Sequence, residues 1–151
     1  LSSAGYIQYE ISNFAQPGFQ SKHNSSYWHD IPYIGIGASA HSYDIKTRHW
    51  NISDITKYIS GIESCILPFE EEFIDKNTKY DDLITTAMRT REGIDTEKLK
   101  ADFGNELYTY FMKEAAKHIN NGTLQNVDGR VSLTRKGLFI SDDIMSDLMH
   151  V

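Results

Sequence analysis

The pattern of hydrophobic and polar positions divides the chain into a strand-and-loop first third and a helical remainder. Residues 5–11 alternate and are rich in Tyr and Ile, which predicts a strand. Residues 12–32 carry two prolines and a glycine among polar residues without periodicity, which predicts a long loop. Residues 33–43 are apolar and predict a buried strand. Its glycines, Gly35 and Gly37, indicate close approach by another group, because glycine weakens a strand.

Apolar residues at helical spacing predict two helices in the middle of the chain. A polar residue, Ser53 or Asp54, caps the first helix, whose apolar residues recur every three or four positions. Residues 77–90 carry a second apolar stripe. Pro68 and the acidic residues 70–72 mark a boundary between the two helices.

Together with the helix predicted over 77–90, the last third gives the order helix, helix, helix, hairpin, helix, which is typical of a winged helix. Asp95 caps a short helix that Gly104 breaks, and residues 105–121 form a longer helix. The Asp-Gly pair at 128–129 lies between alternating segments, so it predicts a hairpin with a tight primed turn. A final amphipathic helix covers 138–149.

Composition and charge limit the classes of function. The chain has 151 residues, and its 40% apolar content supports a core. The net charge is −6, from 15 basic and 21 acidic residues, so we expect no nucleic-acid partner. No apolar run reaches the roughly 18–20 residues of a membrane span. The lone cysteine, Cys65, forms no internal disulfide and fits a reducing compartment, so we expect a cytoplasmic location.

Three strings in the first third resemble a known family. They are Tyr9-Glu10-Ile11-Ser12-Asn13-Phe14-Ala15, His23-Asn24-Ser25-Ser26-Tyr27-Trp28 and Tyr33-Ile34-Gly35-Ile36-Gly37-Ala38-Ser39-Ala40-His41-Ser42. Together with Thr90-Arg91-Glu92-Gly93-Ile94, they resemble the C-terminal part of the oxygen-independent coproporphyrinogen III oxidase-like family of radical S-adenosylmethionine (SAM) proteins. The His-Asn-x-x-Tyr-Trp string is similar to the branch described as heme chaperones.

The resemblance implies an α+β fold in three parts. Residues 1–52 are expected to be the closing strands and loop of a radical-SAM β/α partial barrel. Residues 53–69 are a connecting helix and linker, and residues 70–151 are a helical, winged-helix-like C-terminal domain. The complete protein would bind a [4Fe-4S] cluster and SAM in an upstream half of the barrel. The three cluster cysteines would lie upstream of Leu1, because one cysteine cannot hold a cluster. This part would contain no catalytic residue and be inactive alone.

The resemblance also supplies four heme-binding candidates, which are His23, Asn24, Tyr27 and Trp28. His41 is a fifth candidate, because a strand of small residues that ends in His and Ser can line a cavity. A neutral imidazole can ligate iron, and flat aromatic rings can cover a macrocycle. Heme iron at His23 is the only metal expected in this part. Alternatively, His23 and Asn24 bond loop backbone while Tyr27 and Trp28 close the end of a sheet. The alternative for His41 is a core histidine bonded to a backbone carbonyl.

Four further polar residues are cavity or anion candidates. Glu10 and Ser12 lie near the end of the first strand, where they face the same cavity as His41 or cap backbone amides. Arg48 and Asn51 resemble the Arg-x-x-Asn of the family. They contact an anion such as a propionate, or they pin the connection between strand and helix. The remaining histidines are predicted to be surface residues: His29, His49, His118 and His150.

The preferred function is that of a heme chaperone in heme and porphyrin metabolism. Its expected partners are heme or a porphyrin and a protein that accepts heme. A genuine coproporphyrinogen III oxidase, which performs oxidative decarboxylation, is the first alternative. A winged-helix nucleic-acid-binding domain or a scaffold domain is the second.

Overall fold

The computed structural model describes residues 1–150 and combines helices with short antiparallel sheets. The helices are α1 (Lys22–Trp28), α2 (Ile55–Glu63), α3 (Lys76–Ala87), α4 (Thr96–Asn120) and α5 (Ser141–Leu148), with 3₁₀ turns at Ser2–Ala4 and Gly137–Ile140. The strands are β1 (Ile7–Gln8), β2 (Phe14–Ala15), β3 (His41–Tyr43), β4 (Thr47–Asn51), β5 (Phe69–Phe73), β6 (Ile94–Asp95), β7 (Leu124–Val127) and β8 (Arg130–Leu133). Among the described residues, no helix combines the length and apolar character needed to cross a membrane.

The chain forms two compact units. The first, called the helical unit here, comprises Leu1–Trp28 and the chain from Lys76 onward. The second, called the sheet unit, is His29–Asp75. The division at residues 52 and 69 made from the sequence stays a prediction.

The helical unit contains one hydrophobic core, formed by α3, α4, α5 and the β6-β8-β7 sheet. Its buried members come from every one of these elements: Tyr80, Ile84, Met88, Ile94, Leu99, Phe103, Leu107, Phe111, Ala115, Leu124, Val131, Ile144, Met145 and Leu148. The predicted stripes of α3 and α4 therefore do face inward, which confirms the helical periodicity read from the sequence.

Local signals in the last third are confirmed in detail. The Asp95 side chain accepts hydrogen bonds from the Glu97 and Lys98 amides at 3.1 and 3.0 Å, which caps α4. Gly104 has φ 80° and ψ 178°, so it breaks α4 where the sequence indicated. Asp128 and Gly129 both have positive φ, as a primed turn requires. The final predicted helix divides into the 3₁₀ turn and α5.

Two predictions for the first third of the chain differ from the structure. The strand predicted over 5–11 is only the two residues of β1, because the chain turns back at 10–13 and pairs β1 with β2. The loop predicted over 12–32 contains β2 and α1. Ser21 starts α1, since its hydroxyl accepts from the Asn24 amide at 3.2 Å and its carbonyl from the Ser25 amide at 3.0 Å. A seven-residue helix is too short to show a clear period in sequence.

The sheet unit contains the antiparallel sheet β3-β4-β5 and the helix α2, which Asp54 caps as predicted. The strand predicted over 33–43 is wrong for most of its length. Only 41–43 is a strand, and Tyr33 returns to form a bridge with Tyr43. The acidic residues 70–72 are also not a boundary, because they lie within β5 at the edge of the sheet. Charged side chains are common on edge strands, since they discourage further pairing.

Candidate functional site

His23 and Tyr27 form a contacting pair on the exposed face of α1. They are four residues apart, so they share one side of the helix. The Tyr27 hydroxyl and the His23 Nε2 atom are 3.1 Å apart. Their ring centroids are 5.1 Å apart with an edge-on geometry of 79°. Both side chains are exposed, and the hydrogen bond of His23 goes to a side chain rather than to loop backbone.

Asn24 and Trp28 occupy a different side of α1. Both are half-buried, and the Trp28 ring lies 5.8 Å from the ring of Tyr9. Neighbouring residues of a helix point about 100° apart, so Tyr27 and Trp28 do not form one flat wall. Trp28 therefore attaches α1 to the N-terminal segment, while His23 and Tyr27 remain accessible.

Glu10 and Ser12 lie together in the turn between β1 and β2. One carboxylate oxygen of Glu10 accepts from the Ser12 amide and hydroxyl, each at 2.6 Å, and from the Asn13 side chain at 2.7 Å. The other oxygen is 3.9 Å from the Arg89 guanidinium. Burial acts to raise the pKa of Glu10, but the Ser12 hydrogen bonds and the Arg89 charge outweigh it and hold the pKa below its ordinary value of 4.5. These contacts match the alternative in which Glu10 and Ser12 cap backbone amides rather than face a cavity with His41.

His41 and Arg48 lie on one face of the sheet in the sheet unit. His41 is opposite Trp50, and Tyr43 is opposite Arg48, so the two candidates occupy neighbouring cross-strand rows. His41 is exposed, and its ring is 5.8 Å from that of Trp50 at an angle of 30°. The Arg48 guanidinium is 3.7 Å from the Glu72 carboxylate. Part of the positive charge of Arg48 is therefore already balanced.

Asn51 lies on the opposite face of β4 from Arg48, because residues three apart in a strand point to opposite sides. The two side chains therefore do not share one face of the strand, and their role at an anion site stays a prediction. The Asn51 side chain is almost fully buried, and its amide donates to the carbonyls of Gly37 at 2.9 Å and Gly35 at 3.4 Å. A Cβ on Gly35 would lie 2.2 Å from the His41 carbonyl oxygen, so the close approach predicted for this glycine is made by the chain itself.

One cavity of about 460 Å³ opens beside His41 in the sheet unit. It is lined by Ser39, His41, Trp50, Asn51, Ile52, Ser53, Asp54, Lys57 and Glu70. Its lining is mostly polar, whereas small-molecule pockets are mostly apolar. Within residues 1–150, no group of three His, Cys, Asp or Glu side chains is arranged to hold a metal ion.

His118 was predicted to be a surface residue, and this prediction is wrong. It is buried, with Nε2 3.0 Å from the Asp147 carboxylate and Nδ1 3.3 Å from the Thr123 hydroxyl. The sequence does contain the signal. His118 continues the spacing of the inward residues of α4, which are Leu107, Phe111 and Ala115. Polar partners from α5 and from the turn after α4 allow an imidazole in that position.

Most of the chain is similar to known proteins. Residues 74–140 match the family model described as the HemN C-terminal domain. A Lactococcus lactis protein named heme chaperone HemW is 29% identical over 149 residues, covering 99% of this chain and 39% of the relative. A Mus musculus protein named radical S-adenosyl methionine domain-containing protein 1, mitochondrial, is 54% identical over 169 residues, covering 99% of this chain and 36% of the relative.

The fold also matches a solved structure. The structure of coproporphyrinogen III oxidase (HemN) from Escherichia coli, described as a radical SAM enzyme, superimposes with a TM-score of 0.74 over 99% of this chain and 38% of that one, at 15% identity. The architecture is thus the mixed helix-and-sheet fold found in a radical SAM protein. The chain belongs to the oxygen-independent coproporphyrinogen III oxidase-like family, as its sequence strings indicated. It spans about two fifths of the length of the curated relatives it matches.

Proposed function

We propose that this chain supplies the heme-binding surface of a radical SAM protein that acts as a heme chaperone, and that heme binds at α1. The exposed His23–Tyr27 pair carries this proposal. Imidazole and phenol side chains are both established axial ligands of heme iron. A solvent-facing position on a short helix gives a large planar cargo access that a buried histidine would not give.

The charge around α1 also supports an anionic cargo. Residues 11–28 contain no Asp or Glu, although the chain has 21 acidic residues. Lys22 begins α1 and is exposed next to His23. Because the two propionates of heme are negative, a helix with a cation and no carboxylates of its own favours their approach.

The names of relatives support the same assignment. The proteins from Lactococcus lactis and Bacillus subtilis that align over at least 95% of this chain are both named heme chaperone HemW. In this proposal heme is a cargo that is held and passed to an accepting protein. The chain therefore needs a reversible binding surface rather than a closed pocket.

The cluster and SAM of the family are part of the proposal only for the whole protein. Cys65 is the sole cysteine of the sequence, and a [4Fe-4S] cluster requires several thiolates. The 151 residues therefore do not fit the cluster, and its thiolates would come from elsewhere in the protein. Nothing in the heme binding proposed here depends on it.

Nucleic-acid binding is not favoured by the charges on and near the hairpin of β7 and β8. The Arg130 guanidinium is 3.2 Å from the Asp95 carboxylate, Lys117 is paired with Glu114, and the Lys136 ammonium donates to the Asn121 carbonyl at 2.9 Å. Phosphate binding needs a basic face. Duplex DNA is therefore expected to bind no tighter than the roughly 10⁻⁴–10⁻⁶ M range of non-specific complexes at physiological salt.

The experiment is a heme titration of the protein at its full natural length. The double variant His23→Ala/Tyr27→Phe should bind ferric heme at least roughly tenfold more weakly than wild type, a change of about 1.4 kcal/mol, and lose the shift of the Soret band. The matched control is His29→Ala/Tyr6→Phe, which changes one exposed histidine and one exposed tyrosine outside α1. It should behave like wild type.

Two results would contradict the proposal. Equal affinity and an unchanged spectrum in the α1 double variant would exclude α1 as the heme site. Loss of the Soret shift in His41→Ala, with the α1 double variant unaffected, would move the site to β3. Circular dichroism of each variant shows that the fold is retained. Turnover of coproporphyrinogen by the whole protein would instead favour the oxidase alternative.

A further inference from the structure

The hydrogen bond between His23 and Tyr27 bears on which atom holds the iron. A neutral imidazole has one nitrogen with a free lone pair, and a phenol donates one proton. With Nε2 3.1 Å from the Tyr27 oxygen, the lone pair of Nε2 is the natural acceptor for the phenol proton. An iron bound at Nε2 would have to break this contact. An iron bound at the phenol oxygen would keep it.

Resting on the proposed function above, we infer that the Tyr27 oxygen is the ligand of ferric heme and that His23 is its positioning residue. When heme binds, the Tyr27 O–H bond breaks, its proton passes to Nε2 of His23, and an oxygen–iron bond forms as water leaves the iron. No electron is transferred. The resulting imidazolium remains within hydrogen-bond distance of the phenolate oxygen, so the two opposite charges stabilise each other.

The position of each side chain fits this division of roles. Tyr27 is 42% exposed, so this side chain is accessible from solvent on the outer face of α1. The edge-on ring contact fixes the imidazole beside the phenol rather than above it. A phenolate is a hard anionic ligand that prefers ferric to ferrous iron. Reduction of the bound heme is therefore expected to weaken its binding.

The test compares single variants of the protein at its full natural length with ferric heme. Wild type should show a phenolate-to-iron charge-transfer band and phenolate modes in resonance Raman spectra. Tyr27→Phe should lose both and bind roughly tenfold or more weakly. His23→Ala should keep the phenolate modes with reduced affinity. His23→Gln should recover part of that affinity, because the amide oxygen can still accept the phenol hydrogen bond.

The outcomes separate this inference from the proposed function. Absence of phenolate modes in wild type, or their persistence in Tyr27→Phe, would overturn the inference. If only His23→Ala changes the spectrum, His23 is the ligand and heme binding at α1 stands. If neither single variant changes affinity or spectrum, both proposals fail. Reduction with dithionite is a second readout, since unchanged affinity for ferrous heme would contradict a phenolate ligand.

Discussion

Different interactions stabilise the interior of each of the two units. In the helical unit, hydrophobic side chains from α3, α4, α5 and the sheet form one buried core. In the sheet unit, all of whose residues are described, no hydrophobic residue is buried. The buried residues there are Ser42 and Asn51, whose side chains hydrogen-bond the Gly35–Gly37 backbone.

The difference indicates which of the two units can fold stably without contacts to other surfaces. The sheet unit exposes many large apolar side chains, including Ile34, Ile36, Ile55, Ile59, Ile62, Ile66, Phe69 and Phe73. Exposed apolar surface on this scale is typical of interaction surfaces rather than of independent domains. We expect the helical unit to supply most of the free energy of unfolding, and the sheet unit to be stabilised by contacts outside itself.

The largest expected effect is in the core of the helical unit. Phe111 is fully buried, whereas Phe73 in β5 is 74% exposed. Phe111→Ala should lower the free energy of unfolding by about 3–5 kcal/mol. The same substitution at Phe73 should change it by no more than about 0.5 kcal/mol. Urea unfolding followed by circular dichroism measures both, and similar losses at the two positions would contradict the contrast.

The second prediction concerns the hydrogen bonds that replace a core in the sheet unit. Asn51→Ala leaves the Gly35 and Gly37 carbonyls without their side-chain donor, which should cost about 2–3 kcal/mol locally. Hydrogen exchange of residues 33–43 should accelerate, while α4 stays protected. Asn126→Ala, at an exposed position of β7, is the control. Unchanged exchange in 33–43 would show that Asn51 does not hold this segment.

A smaller effect is expected at Glu10 and depends on pH. Because its folded pKa lies below 4.5, the stabilisation is complete above the unfolded value and is lost as pH falls through the folded pKa. Glu10→Gln should therefore be less stable than wild type by about 1 kcal/mol at pH 7. The two unfolding free energies should converge on acidification below pH 4.5. A gap that persists unchanged at low pH would assign the loss to something other than the carboxylate charge.

The same contrast explains what sequence reasoning could and could not supply. Apart from α1, the helices of the helical unit were predicted because buried stripes, the Asp95 cap and the Asp-Gly turn are local signals. The sheet unit was predicted poorly, although β3 and β4 are joined by the short turn at 44–46, because its third strand pairs with β4 across the intervening helix α2. β5 reads as an acidic boundary, and its pairing with β4 depends on a segment about twenty residues away. The glycines at 35 and 37 indicated a close approach but not that the chain makes it itself.

The candidate site follows the same division. His23 and Tyr27 were chosen from the sequence, and their contact needed only the short helix α1. Arg48 and Asn51 were chosen because they resemble the Arg-x-x-Asn of the family, and the sequence did not show that they lie on opposite faces of a strand. The burial of His118 was not predicted, because the prediction considered that the residue is a histidine and not that it lies in the apolar stripe of α4.

Hydrogen–deuterium exchange of the full-length protein, with and without ferric heme, is the most direct test of heme binding at α1. It compares α1 with the face of the sheet unit around His41 in one experiment. Heme binding at α1 predicts protection of amides in residues 22–28, with no protection of residues 39–52. The double variant His23→Ala/Tyr27→Phe should lose that protection. Protection confined to 39–52, around His41 and the cavity beside it, would contradict heme binding at α1, and so would no protection in either segment.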